Sequence, residues 1–85
     1  MRVEYSPSFV RLYKKLPDDI KDLAEIKEKL FRHAPFDQKL KTHKLSGKLG
    51  NYWALWINYR YRIVFSFVNK ETVRFHSIGD HSIYK

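Results

Sequence analysis

An α+β fold is predicted, with an N-terminal strand and an antiparallel helix hairpin packed on one face of a small, mainly antiparallel sheet of four to five strands. Two observations predict it. The apolar period is 3.6 before Lys39 and 2 after it, and 85 residues suffice for one domain, 1–85, around one core. Arg2-Val3-Glu4-Tyr5 reads as the first strand. Ser6 then caps a helix that has Pro7 at its first position, and Phe9, Leu12, Tyr13 and Leu16 recur at helical spacing up to Pro17. Asp18 and Asp19 suit the first turn of a second helix, where the backbone dipole favours negative charge. Its apolar stripe is Ile20, Leu23, Ala24, Leu30, Phe31 and Ala34, widened by Ile26, and Pro35 closes it.

Strands follow. Lys41 to Leu45 is a short one, ahead of a loop from Gly47 to Gly50. In Tyr52 to Tyr59 one face is Trp53, Leu55, Ile57 and Tyr59, and the other is Tyr52, Ala54, Trp56 and Asn58. In Arg60 to Phe67, Tyr61, Ile63, Phe65 and Phe67 separate from Arg60, Arg62, Val64 and Ser66. Asn69-Lys70-Glu71 is a turn, and Thr72 to Ile78 places Val73 and Phe75 inward with Arg74, His76 and Ile78 outward.

The helix hairpin covers one face of such a sheet and leaves the other open. The open face is expected to carry Trp56, Arg60, Arg62, Arg74 and His76, joined by Lys41, His43, Lys44 and Lys48 from the neighbouring strand and loop. Lys and Arg total 17 against 9 acids, for a net charge of +8. Residues 1–38 carry net +1 and residues 39–85 net +7, with no Asp or Glu between Gln38 and Lys70. A solvated face ordinarily mixes signs, so this segregation points to an anionic partner, and phosphate suits it.

The absence of Cys removes disulfides and thiol nucleophiles, and no apolar stretch is long enough to span a membrane, so a cytoplasmic protein is expected. His33, near a helix C-terminus, is explained by the dipole. His43, His76 and His81 fall in the basic half. A metal site is not expected, because surplus positive charge opposes a divalent cation and no ligand spacing joins the three. Two imidazoles with Arg and Lys suit metal-free cleavage of RNA, whose 2′-hydroxyl is its own nucleophile. Composition alone equally allows a basic domain that only binds nucleic acid.

Lys41-Thr42-His43-Lys44-Leu45-Ser46-Gly47, then Tyr61-Arg62-Ile63-Val64-Phe65, then Ile78-Gly79-Asp80-His81 ending in Tyr84, resemble the RelE/ParE superfamily of toxin-antitoxin toxins along nearly the whole chain. Within it the chain is most similar to the YafQ-type mRNA interferases. The resemblance implies ribosome-dependent mRNA cleavage and an acidic antitoxin partner, with mRNA and ribosome as targets and no cofactor. It maps His43 and His81 onto the acid and base, Arg62 and Lys44 onto the residues that hold the scissile phosphate, and Tyr84 onto the C-terminal tyrosine. Lys41, Lys48, Trp56, Arg60, Arg74 and His76 are the expected RNA-binding set. Where YafQ-type enzymes place a further His and an Asp, this sequence has Trp56 and Arg60. The ParE branch, which poisons DNA gyrase without nucleolysis, is the alternative within the superfamily.

Overall fold

The computed structural model describes residues 1–80. Strand β1 (Arg2–Tyr5) leads into helices α1 (Pro7–Lys14) and α2 (Asp18–His33), and a 3-10 turn at Gln38–Leu40 leads to β2 (His43–Lys44). A second 3-10 turn, Gly47–Leu49, precedes β3 (Trp53–Trp56), β4 (Arg62–Phe67) and β5 (Thr72–Gly79). The sheet order is β1-β5-β4-β3-β2, with β1 parallel to β5 and the other pairs antiparallel. The predicted class, with five strands, is the one observed.

Phe9 of α1 and Ala24 and Phe31 of α2 share one core with Leu55, Ile63, Phe65, Val73 and Phe75 of the sheet. Phe31 is fully buried, its ring 5.0 Å from Phe65 and 5.7 Å from Phe75. Phe9 meets Phe75 at 5.4 Å. The helices therefore cover one face, and residues of opposite parity point away from them. Ile26 departs from the expected stripe and stands 61% exposed, because helical spacing from Ile20 and Leu23 carries it round to the solvent side.

Ser6 acts as expected. Its Oγ accepts the Phe9 N–H at 3.0 Å and donates to the His76 carbonyl at 3.0 Å, so one buried hydroxyl caps α1 and ties it to β5. Ser6→Ala is expected to cost about 1 to 2 kcal/mol in urea denaturation, the size of a lost cap. An unchanged midpoint would show that water replaces both bonds.

Three strand expectations need correction. Ile78 is buried in the core, 1% exposed, instead of pointing outward. The register explains it: Val64 pairs with Ser77 but Phe65 pairs with Phe75, so His76 is an extra residue on β5. This bulge exchanges the faces of everything after it. The strand expected from Tyr52 to Tyr59 ends at Trp56, because the Asn58 side chain accepts the backbone N–H groups of Arg60 and Tyr61 at 2.9 and 2.8 Å and builds a turn. Tyr59 and Arg60 lie in that turn, fully outside the ladder, with Tyr59 77% exposed. Strand β2 is only two residues long, because Lys41 ends the preceding 3-10 turn in the left-handed region at φ 49°.

Candidate active site

Directly paired residues project to the same side of a sheet, so the register assembles the face away from the helices. One cross-strand row is His43, Ala54, Val64 and Ser77, and the next is Trp56, Arg62 and Gly79. A third is Ser66, Arg74 and Glu4. Tyr52 precedes β3 and continues its alternation on this face, so Tyr52 and Trp56 flank the small Ala54. Ala54 and Val64 form a floor between larger side chains.

His43 is exposed on this face, and its Nδ1 lies 2.8 Å from the Lys41 carbonyl oxygen. A carbonyl only accepts, so Nδ1 donates and the neutral ring keeps Nε2 as its acceptor. The left-handed backbone of Lys41, the one non-glycine residue with positive φ among those described, accompanies that bond. The Lys41 ammonium lies 4.8 Å from the centre of the Trp56 ring, and the Arg62 guanidinium lies 4.0 Å from it. Two cations thus stand against the aromatic ring of the cross-strand row next to that of the imidazole.

Arg62 is 4% exposed, which sequence alternation on an open face does not anticipate. Its Nη1 donates to the carbonyls of Asn58 at 2.7 Å and Tyr61 at 3.2 Å, and its Nη2 to that of Tyr59 at 2.8 Å. The guanidinium holds the β3–β4 turn from inside while contributing fixed positive charge to the face. Lys44 pairs with Trp53, so the register sends it to the face opposite His43. Arg60 belongs to the turn, its guanidinium 5.7 Å from the Tyr61 ring, instead of to the platform. Lys48 is exposed in the second 3-10 turn. Arg74 is on the face but lies 3.4 Å from the Glu4 carboxylate, an acid that β1 delivers across the parallel pairing. His81 and Tyr84 lie outside the described residues; β5 ends at Gly79, opposite Arg62.

The His76 Nε2 is 2.7 Å from the Ser66 hydroxyl, and its ring centre is 5.0 Å from that of Tyr52. Burial, and then the neighbouring Arg74 charge, hold its pKa below the ordinary 6.5. The native protein therefore takes up fewer protons than the unfolded chain just below that value. Stability from this group is complete above 6.5 and is lost as pH falls through 6.5 toward the folded value. Melting temperature should fall between about pH 7.5 and about pH 5, and less steeply in His76→Gln. Equal slopes would contradict this.

Among the described residues, no three His, Cys, Asp or Glu side chains come together as a metal site, and no helix is long and apolar enough to cross a membrane. No family model matches the chain, and no curated protein matches it in sequence. Solved structures do match its shape. A YoeB/ParE toxin from Agrobacterium tumefaciens superposes with a TM-score of 0.78 at 16% identity, over 95% of this chain and 99% of that one. YafQ from E. coli strain BL21(DE3) gives 0.76 at 19% identity, over 99% and 98%. A chain of the YoeB-YefM complex from Staphylococcus aureus gives 0.76 at 20%, over 95% and 97%. The chain has the RelE-like toxin fold.

In this RelE-like sheet the outer face brings together His43, Lys41, Trp56 and Arg62, and separates them from Lys44 and Arg60. An imidazole with an outward acceptor beside fixed cations can take a proton from a hydroxyl next to a phosphodiester and stabilise the charge that develops on phosphorus. Tyr52 and Ser66 join this face without a motif to mark them, and their outward parity is the one sequence signal for them. Glu4 was hidden because its partner lies seventy residues away.

Proposed function

We propose that this chain is the toxin of a toxin-antitoxin pair and acts as a metal-independent, ribosome-dependent mRNA endoribonuclease. The observation that carries the proposal is the orientation of His43 by the Lys41 carbonyl on a face lined with cations. His43 Nε2 takes the proton of the 2′-hydroxyl, the 2′-oxygen attacks phosphorus, and the P–O5′ bond breaks. His81, assigned by resemblance, gives its proton to the leaving 5′-oxygen, with Tyr84 three residues on in the sequence. The product is a 2′,3′-cyclic phosphate. Arg62 acts by charge and by holding the turn, while Lys41 and Lys48 attract the backbone, and the ribosome supplies the positioning that so small a domain lacks.

The partner is an acidic antitoxin segment that covers the basic face and blocks it. The net +7 of residues 39–85 supports this, as does the likeness to toxins solved as YoeB-YefM and DinJ-YafQ complexes. A reporter mRNA in a translation extract tests the function. Cleavage of the message is expected; intact message with gyrase-dependent DNA breaks would instead favour the ParE-type activity, and neither would leave a nucleic-acid binder.

A further inference from the structure

We propose that Tyr52, Ser66 and His76 form a nucleobase-binding subsite, distinct from the reacting phosphate, that reads one base of the RNA away from the cut. The inference rests on the nuclease reading above and adds a specificity determinant to it. Position comes first. His43 is on β2 and His76 on β5, three strand spacings apart, or about 14 Å between their backbones at about 4.8 Å per strand, and the His76 ring leans on Tyr52 and Ser66. Both nevertheless share the outer face, so an RNA strand held at His43 can cross the sheet to His76.

The chemistry of the cluster fits a base better than a phosphate. The two rings, 5.0 Å apart and inclined at 58°, meet above the small Ser66 side chain and leave partly exposed faces on which a base can stack. The one guanidinium beside them, Arg74, already lies against Glu4, so the local charge is balanced where the His43 end is cationic. Ser66 and His76 form one hydrogen-bonded pair through Nε2, and Nδ1 has no partner among the described residues. Rotation of the hydroxyl and exchange of tautomer let the pair offer a donor or an acceptor at Nδ1, the kind of group that reads a base edge.

The mounting is also rigid. His76 is the bulged residue of β5, displaced from the ladder, and its carbonyl is held at 3.0 Å by the buried Ser6 hydroxyl. A bulge turns a side chain to a new direction, and here it turns the imidazole toward Ser66 and Tyr52. None of the three side chains belongs to the core, so packing does not account for them.

The experiment maps cleavage sites across a messenger pool in a translation extract for the wild type, Tyr52→Ala, His76→Ala and Tyr52→Phe. The wild type should show a base preference at one fixed position off the cut. Tyr52→Ala and His76→Ala should flatten that preference and raise KM about tenfold, and Tyr52→Phe, which keeps the ring, should restore both. A purely structural role would lower the melting temperature and reduce cleavage at all sites alike. An unchanged preference and KM in well-folded Tyr52→Ala and His76→Ala would overturn the subsite and leave the nuclease standing. If the wild type cleaves no message, the nuclease reading has failed. The subsite is then decided by anisotropy titrations with single-stranded RNA carrying one abasic position at a time. One position should cost the wild type about tenfold in Kd and Tyr52→Ala nothing, and identical scans for the two proteins would overturn it.

Discussion

Arg62→Ala is expected to lose both the fold's margin and its activity. Three of the five guanidinium N–H groups go to the carbonyls of Asn58, Tyr59 and Tyr61, and the plane lies on Trp56, so truncation leaves the β3–β4 turn without its internal tie. A hydrogen-bonded charged group removed from a buried position costs about 2 to 3 kcal/mol, since part of the loss returns when the turn carbonyls reach water. For a domain of this length that is roughly 10 to 20 °C in melting temperature. Message cleavage should fall with it, because Trp56 and the fixed charge beside His43 lose their support. Arg62→Lys should rescue little, as an ammonium cannot span three diverging carbonyls and stack at once. A melting temperature equal to wild type with cleavage abolished would show that Arg62 serves the phosphate alone.

His43→Ala should give the opposite pattern. The side chain is exposed and its one hydrogen bond among the described residues is to a carbonyl two residues away, so melting temperature should stay within a degree or two of wild type. Cleavage should fall by about 10² to 10⁴, the usual worth of a general acid or base. Antitoxin binding should persist, because the cations that attract an acidic segment remain. Lys41→Gly refines the test: glycine accepts the left-handed backbone and keeps the carbonyl that orients His43, while the ammonium is lost. It should retain more activity than His43→Ala. The reverse order, measured as cleavage rate on one reporter, would assign the leading role to the Lys41 charge.

Local signals in the sequence were sufficient for the helices and for the inward parity of the long strands. Ser6-Pro7 starts α1, Pro17 separates the helices, Asp18 and Asp19 open α2, and the inward parity of Ile63, Phe65, Val73 and Phe75 matches the core. Apart from Lys44, the misplacements come from interactions that span the chain or break a period. Ile78 turns inward only because β5 carries one residue more than β4 between Val64 and Phe65, and an alternating pattern holds no mark of a bulge. Arg60 leaves the sheet because the Asn58 side chain outcompetes the ladder for two backbone donors. Glu4 reaches Arg74 through a parallel pairing of the two ends of the chain. Lys44 follows from register: two neighbouring residues of a strand cannot share a face, so His43 and Lys44 are divided.

The proposed reaction uses the RNA's own 2′-hydroxyl as nucleophile, with His43 and His81 as the acid-base pair. The most direct measurement is cleavage, in a translation extract, of a message carrying a single 2′-deoxynucleotide at a mapped cut site, for the wild type and the His43→Ala, His81→Ala double variant. The wild type should cut the all-ribose message to a 2′,3′-cyclic or 3′-phosphate end and leave the deoxy-substituted site intact. The double variant should cut neither. Cleavage at the deoxy site, or a double variant as active as the wild type, would contradict it.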